Sequence, residues 1–400
     1  ANGFNAVAKC SSVCVPWMII VFLAGFCVVV PQLIEITGAA GIHGFGDFMD
    51  LMNTSVWSGE IIEGGQDLTI FHVIGFAWMC NLAYHGGLND MALFRYAKSA
   101  KYGFVTCYGM FIGHFFAWGS AGIMGATAAI MLNESLLILD SGAITSAVLG
   151  GTGLLAVIIA GWTTANPNIY RASLAYESVF KNVSTKKLTY IVGVFMTVVA
   201  CFPITMNIMT IVNIIVLVVP PVGAIVFAEH WIIPKLGGTR YWAMYKGWKI
   251  NYAGLAAWAI ALVFVTVMTI TRAMHSYFLF LPTYLLAMVS YLILACMMGA
   301  KEDYSKQTEE ERKIQEALEK IQDEEDDEIE NFRPKYPGVQ KAAAYASYAV
   351  LAVFAVLTFM VAAGSVTADT WKSVSIIISF VYFAFSGLST YFKFALVEKA

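Results

Sequence analysis

The sequence predicts an all-α, polytopic membrane protein, and its composition, its long apolar runs and its charge placement each support this fold class. The chain has 400 residues, of which 59% are hydrophobic and 13% charged, with a mean hydropathy of +0.69. Soluble domains usually carry about 25% charged residues, so this chain lacks the charge to cover an ordinary globular surface. Long continuous apolar runs favour helices over a β-barrel, whose strands are short and alternate in polarity.

Ten apolar segments are long enough to be considered as membrane-spanning helices. A spanning helix needs roughly 20 mostly apolar residues. The predicted spans are 14–36, 70–97, 104–131, 147–170, 188–203, 206–228, 252–271, 277–298, 342–363 and 373–393.

The basic residues test this list of spans independently. In a ten-span arrangement 22 of the 24 lysines and arginines fall on one side, and only Arg272 and Lys372 fall on the other. Cytoplasmic loops carry the excess of lysine and arginine. The sequence therefore predicts an integral protein of the plasma or inner membrane, in contact with the lipid bilayer and with both chain ends in the cytoplasm.

The spans and the charged residues divide the chain into three predicted segments. Residues 1–300 form a membrane domain of eight spans, residues 301–341 form a charged cytoplasmic connector, and residues 342–400 carry two additional spans.

The connector combines an acidic run with a helical pattern. Ile314, Leu318 and Ile321 recur at helical spacing, which predicts an amphipathic helix, and Pro334 and Pro337 are expected to break the pattern before the next span. A solvated connector and a regulatory or docking arm both fit this composition.

Polar residues inside a span are costly, so they indicate function, and the segment 70–97 holds several. Asn81, His85 and Asn89 stand at i, i+4 and i+8, and Trp78 precedes them by about one turn. The two adjacent glycines after His85 lower the cost of unwinding the helix there and allow close approach of a ligand or another backbone. Transporters use such discontinuous helices to hold solutes and ions. Ordinary hydrogen bonding and close packing between helices explain the same residues equally well.

The segment 147–170 ends in a second polar group. Thr163 and Thr164 are adjacent hydroxyls, and Pro167, with an asparagine on each side, removes a backbone donor and frees a carbonyl near Thr163. Neutral hard oxygens suit a monovalent cation better than a transition metal. A threonine pair alone is explained by hydroxyl bonding to the preceding turn, but the neighbouring proline and asparagines favour a site.

The stretch GWTTANPNIYRASLA, from Gly161 to Ala175, resembles the eighth helix of the nucleobase–cation symporter family one, the cytosine, purine, hydantoin and allantoin permeases. Further matches occur in family order, and the resemblance covers roughly residues 3–300. These are Asn5 to Pro16 for the fifth helix, Phe94 to Lys98 for the sixth, Val219 to Trp231 with its pair Glu229-His230 for the tenth, and Asn251 to Trp258 for the eleventh.

The resemblance implies a leucine-transporter-like five-plus-five inverted-repeat fold with a solute site near the middle of the bilayer. The family's sodium site maps onto Ala160, Thr163 and Thr164. The implied solute site takes its residues from the sixth and eighth helices, where Asp90 lies five residues before Arg95 instead of the usual three and leaves the register of the sixth helix open. The predicted solute-binding residues are Trp78, Asn81, His85, Trp162, Asn166 and Asn168.

The predicted function is cation-coupled symport of a small, planar, nucleobase-like solute, with Na⁺ or H⁺ as the coupling ion and no cofactor. The match begins at the fifth helix, so the family's first four helices are expected on a separate chain or in a longer protein. A non-transporting membrane subunit derived from such a transporter is the alternative. The sequence shows no nucleophile–base pair and no paired carboxylates within a span, so an enzyme is not predicted. A nucleic-acid partner is not expected either.

Overall fold

The computed structural model describes residues 3–61, 64–88, 90–94, 97, 99–202, 208–330, 332–394 and 397–399. Helices make up nearly all of the regular structure in these ranges. In chain order they are α1 (Gly3–Cys27), α2 (Val29–Thr37), α3 (Phe45–Ser55), α4 (Ile70–His85), α5 (Met91–Phe94), α6 (Tyr102–Leu132), α7 (Ser141–Val179), α8 (Thr185–Ala200), α9 (Ile208–Val218), α10 (Pro220–Phe227), α11 (Trp242–Tyr245), α12 (Tyr252–Thr271), α13 (Phe280–Met298), α14 (Ser305–Glu330), α15 (Pro337–Ala362) and α16 (Ala368–Phe394).

Short irregular helices and one small ladder complete the fold. A π-helical turn, Ala228–Ile232, follows α10, and 3₁₀ turns occupy Pro234–Leu236 and Ser276–Phe278. Strand β1 (Phe332–Pro334) pairs antiparallel with β2 (Val397–Lys399).

Eight segments of the described chain are helices long and apolar enough to cross a membrane, which confirms a helical membrane protein. They are Ala6–Thr37, Tyr102–Leu132, Ser141–Val179, Thr210–Ile232, Tyr252–Thr271, Phe280–Met298, Pro337–Ala362 and Ala368–Phe394. Each coincides with one of the ten predicted spans.

The two other predicted spans contain helices too short to cross a membrane, and α4 is also much shorter than the predicted span 70–97. Helices α4 and α8 contain 16 residues each. At 1.5 Å per residue each is about 24 Å long, less than the roughly 30 Å of a hydrocarbon core. Helix α4 ends where the glycine pair begins. Helix α8 ends at Ala200, shortly before Pro203, and a proline disfavours helical conformation in the residue that precedes it.

The connector contains the predicted helix. Helix α14 confirms the helical spacing of Ile314, Leu318 and Ile321. The helical pattern is interrupted before the next span, as expected, with Pro334 in the interruption and Pro337 as the first residue of α15. Proline is favoured at this position because its fixed φ suits a helix and its missing N–H would have no helical partner.

The chain forms two compact units. Unit 1 comprises Ala1–Gln66, Ala97–Val192 and Glu328–Ala400, and unit 2 comprises Asp67–Tyr96 and Gly193–Asp327.

Unit 1 has an aromatic core with close helix crossings. Trp17, Phe354 and Trp371 are fully buried, and the ring of Phe354 stacks with both tryptophans, at centroid distances of 6.5 and 5.9 Å. Helix α1 crosses α6 so closely that a Cβ at Gly25 would lie 1.7 Å from Ser120 Oγ. Small residues at such crossings let helix backbones approach, which is how membrane helices gain packing energy.

Unit 2 has a core of small side chains. Ala224 on α10, Ala257 on α12 and Ala287 on α13 are each fully buried in one cluster. These alanines bring the three helices together around the π-helical turn that follows α10.

Candidate functional site

The residues of the predicted sodium site lie on α7, in unit 1. Thr163 Oγ1 donates a hydrogen bond to the Ala160 carbonyl oxygen at 3.1 Å, so these two predicted ligand oxygens are neighbours. Thr163 is half-buried and Thr164 is exposed. The helix continues through Pro167, and its one departure from helical backbone angles is at Gly150. The bond from Thr163 is the back-bonding expected of a threonine in a helix, and the sodium assignment stays a prediction.

The predicted solute-binding residues of α7 differ in what they contact. The Asn166 amide nitrogen lies 3.5 Å from Cys10 Sγ on α1, at the distance of a weak hydrogen bond. Asn168 Oδ1 accepts a hydrogen bond from Arg171 Nη1 at 3.3 Å, and Trp162 is exposed. The two amides therefore keep part of their hydrogen-bonding capacity for a ligand.

The predicted residues of the sixth-helix match lie on α4, in unit 2. Trp78 is 52% exposed and lines an apolar cavity of about 360 Å³ together with Phe71, Ile74, Tyr277 and Phe278. Asn81 and His85 belong to α4, but their side chains, like Asn89 as a whole, lie outside the described residues. The α7 residues and the α4 residues thus occupy different units, each with its own geometry.

The helix around the glycine pair is discontinuous. Helix α4 ends at His85, a turn follows in which Leu88 adopts a φ of +57°, and helical structure resumes at Met91. The Gly86 carbonyl packs against Gly223 on α10 so closely that a Cβ at Gly223 would lie 1.7 Å from the oxygen. The glycines therefore do both things that the sequence left open, since they end the helix and allow another backbone to approach.

A buried amide on the neighbouring helix α9 was missed by sequence reasoning. The Oδ1 atom of Asn213 is buried and has no hydrogen-bond partner among the described residues. Buried polar atoms are almost always paired, so an unpaired one needs an explanation such as a ligand or a water. Its signal in the sequence is one of the two asparagines, Asn207 and Asn213, in the apolar run 206–228.

A second polar cluster surrounds Glu229 in the π-helical turn. Glu229 Oε1 accepts a bond from the Tyr241 backbone N–H at 2.8 Å, and Oε2 accepts one from the Tyr291 hydroxyl. The Tyr291 oxygen in turn accepts bonds from Trp242 Nε1 at 3.2 Å and Asn251 Nδ2 at 3.1 Å.

The direction of these bonds follows from the available hydrogens. Because the Tyr291 oxygen already receives two N–H groups, its own hydrogen is directed to Glu229. Both Glu229 oxygens then act as acceptors, which is the arrangement that an ionised carboxylate requires. Charge-assisted bonds of this kind are the stronger ones, and π-helical turns occur frequently at functional sites. Glu229 and Asn251 carry part of the family resemblance, whereas nothing in the sequence pointed to Tyr291.

Helix α7 is broken at Gly150, where φ is +62° and ψ is −144°. Lys372 of α16 packs against this point, its Cβ lying 3.2 Å from where a Gly150 Cβ would be. Its Nζ donates to the Ala147 carbonyl oxygen at 3.1 Å. An ammonium at the C-terminal end of a helical segment is favoured by the helix dipole. The Lys372 ammonium is thus a favourable partner for the short segment of α7 that precedes Gly150.

The comparisons with known proteins give no match: no family model fits the sequence, and no curated protein and no solved structure resembles it at a significant level.

Proposed function

We propose that this chain is the membrane-embedded part of a secondary active transporter that couples a monovalent cation to the movement of a small, planar, nitrogen-rich solute. The observation that carries the proposal is the discontinuity of α4 between His85 and Met91. Irregular backbone at membrane depth is tolerated where it is buried in protein or lines a cavity, and transporters place their solute and ion sites at such breaks.

Two side chains, one on α4 and one on the neighbouring helix α9, supply groups that a planar solute needs. Trp78 offers an exposed indole face on the same helix, seven residues before the end of α4 at His85. The unpaired Oδ1 of Asn213, on the neighbouring helix α9, offers an acceptor to an amide-like N–H. An aromatic face and a few placed polar groups are the usual composition of a small-molecule site.

The coupling cation is proposed to bind where Ala160, Thr163 and Thr164 place three oxygens within one turn of α7. A cation would replace the Thr163 hydrogen as the partner of the Ala160 carbonyl. Cation and solute would then favour one conformation together, which couples their binding energies.

Uptake by the full-length protein in proteoliposomes tests the proposal. Radiolabelled cytosine, adenine, hydantoin and allantoin are offered with an inward Na⁺ gradient, an inward H⁺ gradient or no gradient. The proposal predicts accumulation of at least one solute above its equilibrium level with one of the gradients, and none after a sodium or proton ionophore. Equal levels of every solute in protein-containing and protein-free vesicles would contradict it.

The alternative, a membrane subunit that anchors an assembly without transporting, is favoured by one specific observation. Side chains of α16 join it to two other helices of unit 1: Ser375 to Thr152 at 2.6 Å, Ser379 to Trp17 at 2.9 Å, and the Tyr382 hydroxyl to the Val13 carbonyl at 2.8 Å. Hydrogen bonds between helices restrict their relative movement, as expected for a rigid membrane anchor. Purification from native membranes with partner chains in fixed ratio, and no thermal stabilisation by solute or sodium, would favour this function.

A further inference from the structure

Two histidines of unit 2 are in contact with each other. His72 lies in the first turn of α4, and His275 immediately precedes the 3₁₀ turn before α13. The ring centroids of His72 and His275 are 4.7 Å apart and the ring planes are nearly perpendicular, at 86°. Phe278 lies 5.0 Å from His72, and Tyr277 lies 4.5 Å from His275. Both imidazoles are partly buried in this aromatic cluster.

The hydrogen bonds to the two Nδ1 atoms indicate the protonation state of the pair. The Thr69 backbone N–H donates to His72 Nδ1 at 3.2 Å, with the Thr69 hydroxyl 2.9 Å from the same nitrogen, and the Tyr277 backbone N–H donates to His275 Nδ1 at 3.3 Å. A backbone N–H can only donate, so both Nδ1 atoms must present a lone pair. Each imidazole is therefore neutral, with its hydrogen on Nε2.

This arrangement is suited to sensing a proton and not to holding a metal. A metal on Nε2 would require a hydrogen on Nδ1, which would face the donating amide. A proton added to either ring also lands on Nδ1, breaks the bond to the amide and brings a positive charge against the other ring. Burial and the neighbouring His72 both lower the pKa of His275, as expected for a cluster that favours the neutral form.

Few other ionisable groups lie on the elements packed around the pair. They are Asp67 before α4, Cys80, Tyr84 and His85 further along α4, Arg272 and Tyr277 in the loop that carries His275, and Tyr284, Tyr291 and Cys296 on α13, while the sequences of α9 and α10 contain none. His85 is at the opposite end of α4, so His72 and His275 are the groups at this contact whose unperturbed pKa lies near neutrality.

The pair closes a tight contact between α4 and the loop. A Cβ at Gly75 would lie 3.0 Å from both a Phe278 ring carbon and the Tyr277 carbonyl, and Phe76 packs on Tyr277 with centroids 4.9 Å apart. Each histidine bond lies within its own segment, so the contact between α4 and the loop is made by the rings themselves, His72 against His275 and Phe278. A charge on one ring would reorient that ring and weaken this contact at the end of the helix on which Trp78 lies.

We propose that His72 and His275 form a proton-operated latch that fastens the start of α4 to the 274–278 loop when both rings are neutral and releases it when either is protonated. In the predicted topology the latch faces outside. Its effect on solute uptake rests on the proposed transport function, whereas the opening itself does not.

The sign of the pH dependence follows from the neutral pair. The released state takes up protons near the unperturbed pKa of about 6.5, whereas the fastened state resists them. The latch is therefore complete above that pH and weakens below it. Lowering the pH from about 7.5 to about 5.5 therefore shifts the equilibrium toward the released state through His275, by at most about tenfold by linkage.

Amide hydrogen exchange of the full-length protein in detergent, without solute or sodium, tests the latch separately from transport. Segments 69–78 and 274–280 should exchange faster, by up to about tenfold, at pH 5.5 than at pH 7.5 after correction for intrinsic rates, while 252–271 stays unchanged. The double variant His72→Asn/His275→Asn keeps an acceptor near each Nδ1 position and cannot be protonated, so it should lose this difference. His43→Asn, on an exposed residue, is the matched control and should behave as wild type.

A wild-type protein with the same corrected exchange at both pH values would overturn the proposal, as would a double variant that keeps the pH difference. Should the double variant not fold, NMR titration of the histidine Cε1 protons in the wild type decides the matter. The latch predicts that His275 titrates below the ordinary range and moves toward it in His72→Asn. Independent titration of the two rings would contradict it.

Discussion

Replacing Tyr291 by phenylalanine removes only a hydroxyl group, but it should lower the free energy of unfolding by several kcal/mol. The hydroxyl donates to the Glu229 carboxylate and accepts from Trp242 and Asn251. Interhelical hydrogen bonds in membrane proteins average about 0.6 kcal/mol. A bond to a charged group contributes about 1.5–3 kcal/mol, and a buried donor left unpaired costs about 1–3 kcal/mol. Trp242 is fully buried, so its indole N–H would be stranded. The two contributions add to about 2.5–6 kcal/mol, and because interhelical hydrogen bonds in membranes are weaker, the expected loss is about 2–5 kcal/mol.

Reversible unfolding in mixed micelles, followed by tryptophan fluorescence, measures this loss. Tyr284→Phe is the matched control, because Tyr284 lies on the same helix and its hydroxyl has no hydrogen bond in the described structure. The control should change the free energy of unfolding by less than about 0.5 kcal/mol. If Tyr291→Phe is as stable as Tyr284→Phe, the reasoning about Glu229 is refuted. A double-mutant cycle with Glu229→Gln should also show a coupling energy above about 0.5 kcal/mol.

Two further substitutions test the helix breaks. Gly223→Ala should misfold or lose more than about 3 kcal/mol of stability, because its Cβ would overlap the Gly86 carbonyl. Gly161→Ala is the control, since Gly161 has open space around it, and it should be neutral or slightly stabilising. Thermal unfolding in detergent compares the two variants. Lys372→Met keeps the apolar stem but removes the donor to the Ala147 carbonyl, so it should destabilise unit 1 by about 1–3 kcal/mol. Equal unfolding free energies for wild type and Lys372→Met would contradict the assigned contact.

Much of the helical architecture could be predicted because it depends on local sequence. Continuous apolar runs predicted all eight helices of spanning length. The glycine pair after His85 indicated where α4 is interrupted, because glycine lowers the local cost of leaving the helix. Pro334 and Pro337 correctly indicated an interruption before the next span. That α15 begins at Pro337 itself was not predicted, since proline breaks a helix interior but favours a first turn.

The polar contacts could not be predicted, because they join residues distant in sequence. Glu229 and Tyr291 are 62 positions apart, and Lys372 and Ala147 are 225 apart. Which side chains meet depends on how α13 packs beside the π-helical turn and how α16 packs beside α7. Lys372 was notable in the sequence only as one of two basic residues outside the predicted cytoplasmic loops, and nothing there indicated the break at Gly150.

The central proposal is solute transport coupled to a cation that binds on α7. Its most direct test is solute uptake by Thr164→Ala, measured as a function of sodium concentration. Thr266→Ala is the matched control, because Thr266 is an exposed threonine of α12 that donates to the carbonyl one turn earlier. The account predicts that Thr164→Ala lowers uptake and its sodium dependence together, while Thr266→Ala leaves both unchanged. Sodium-stimulated uptake at the wild-type level in Thr164→Ala would contradict it.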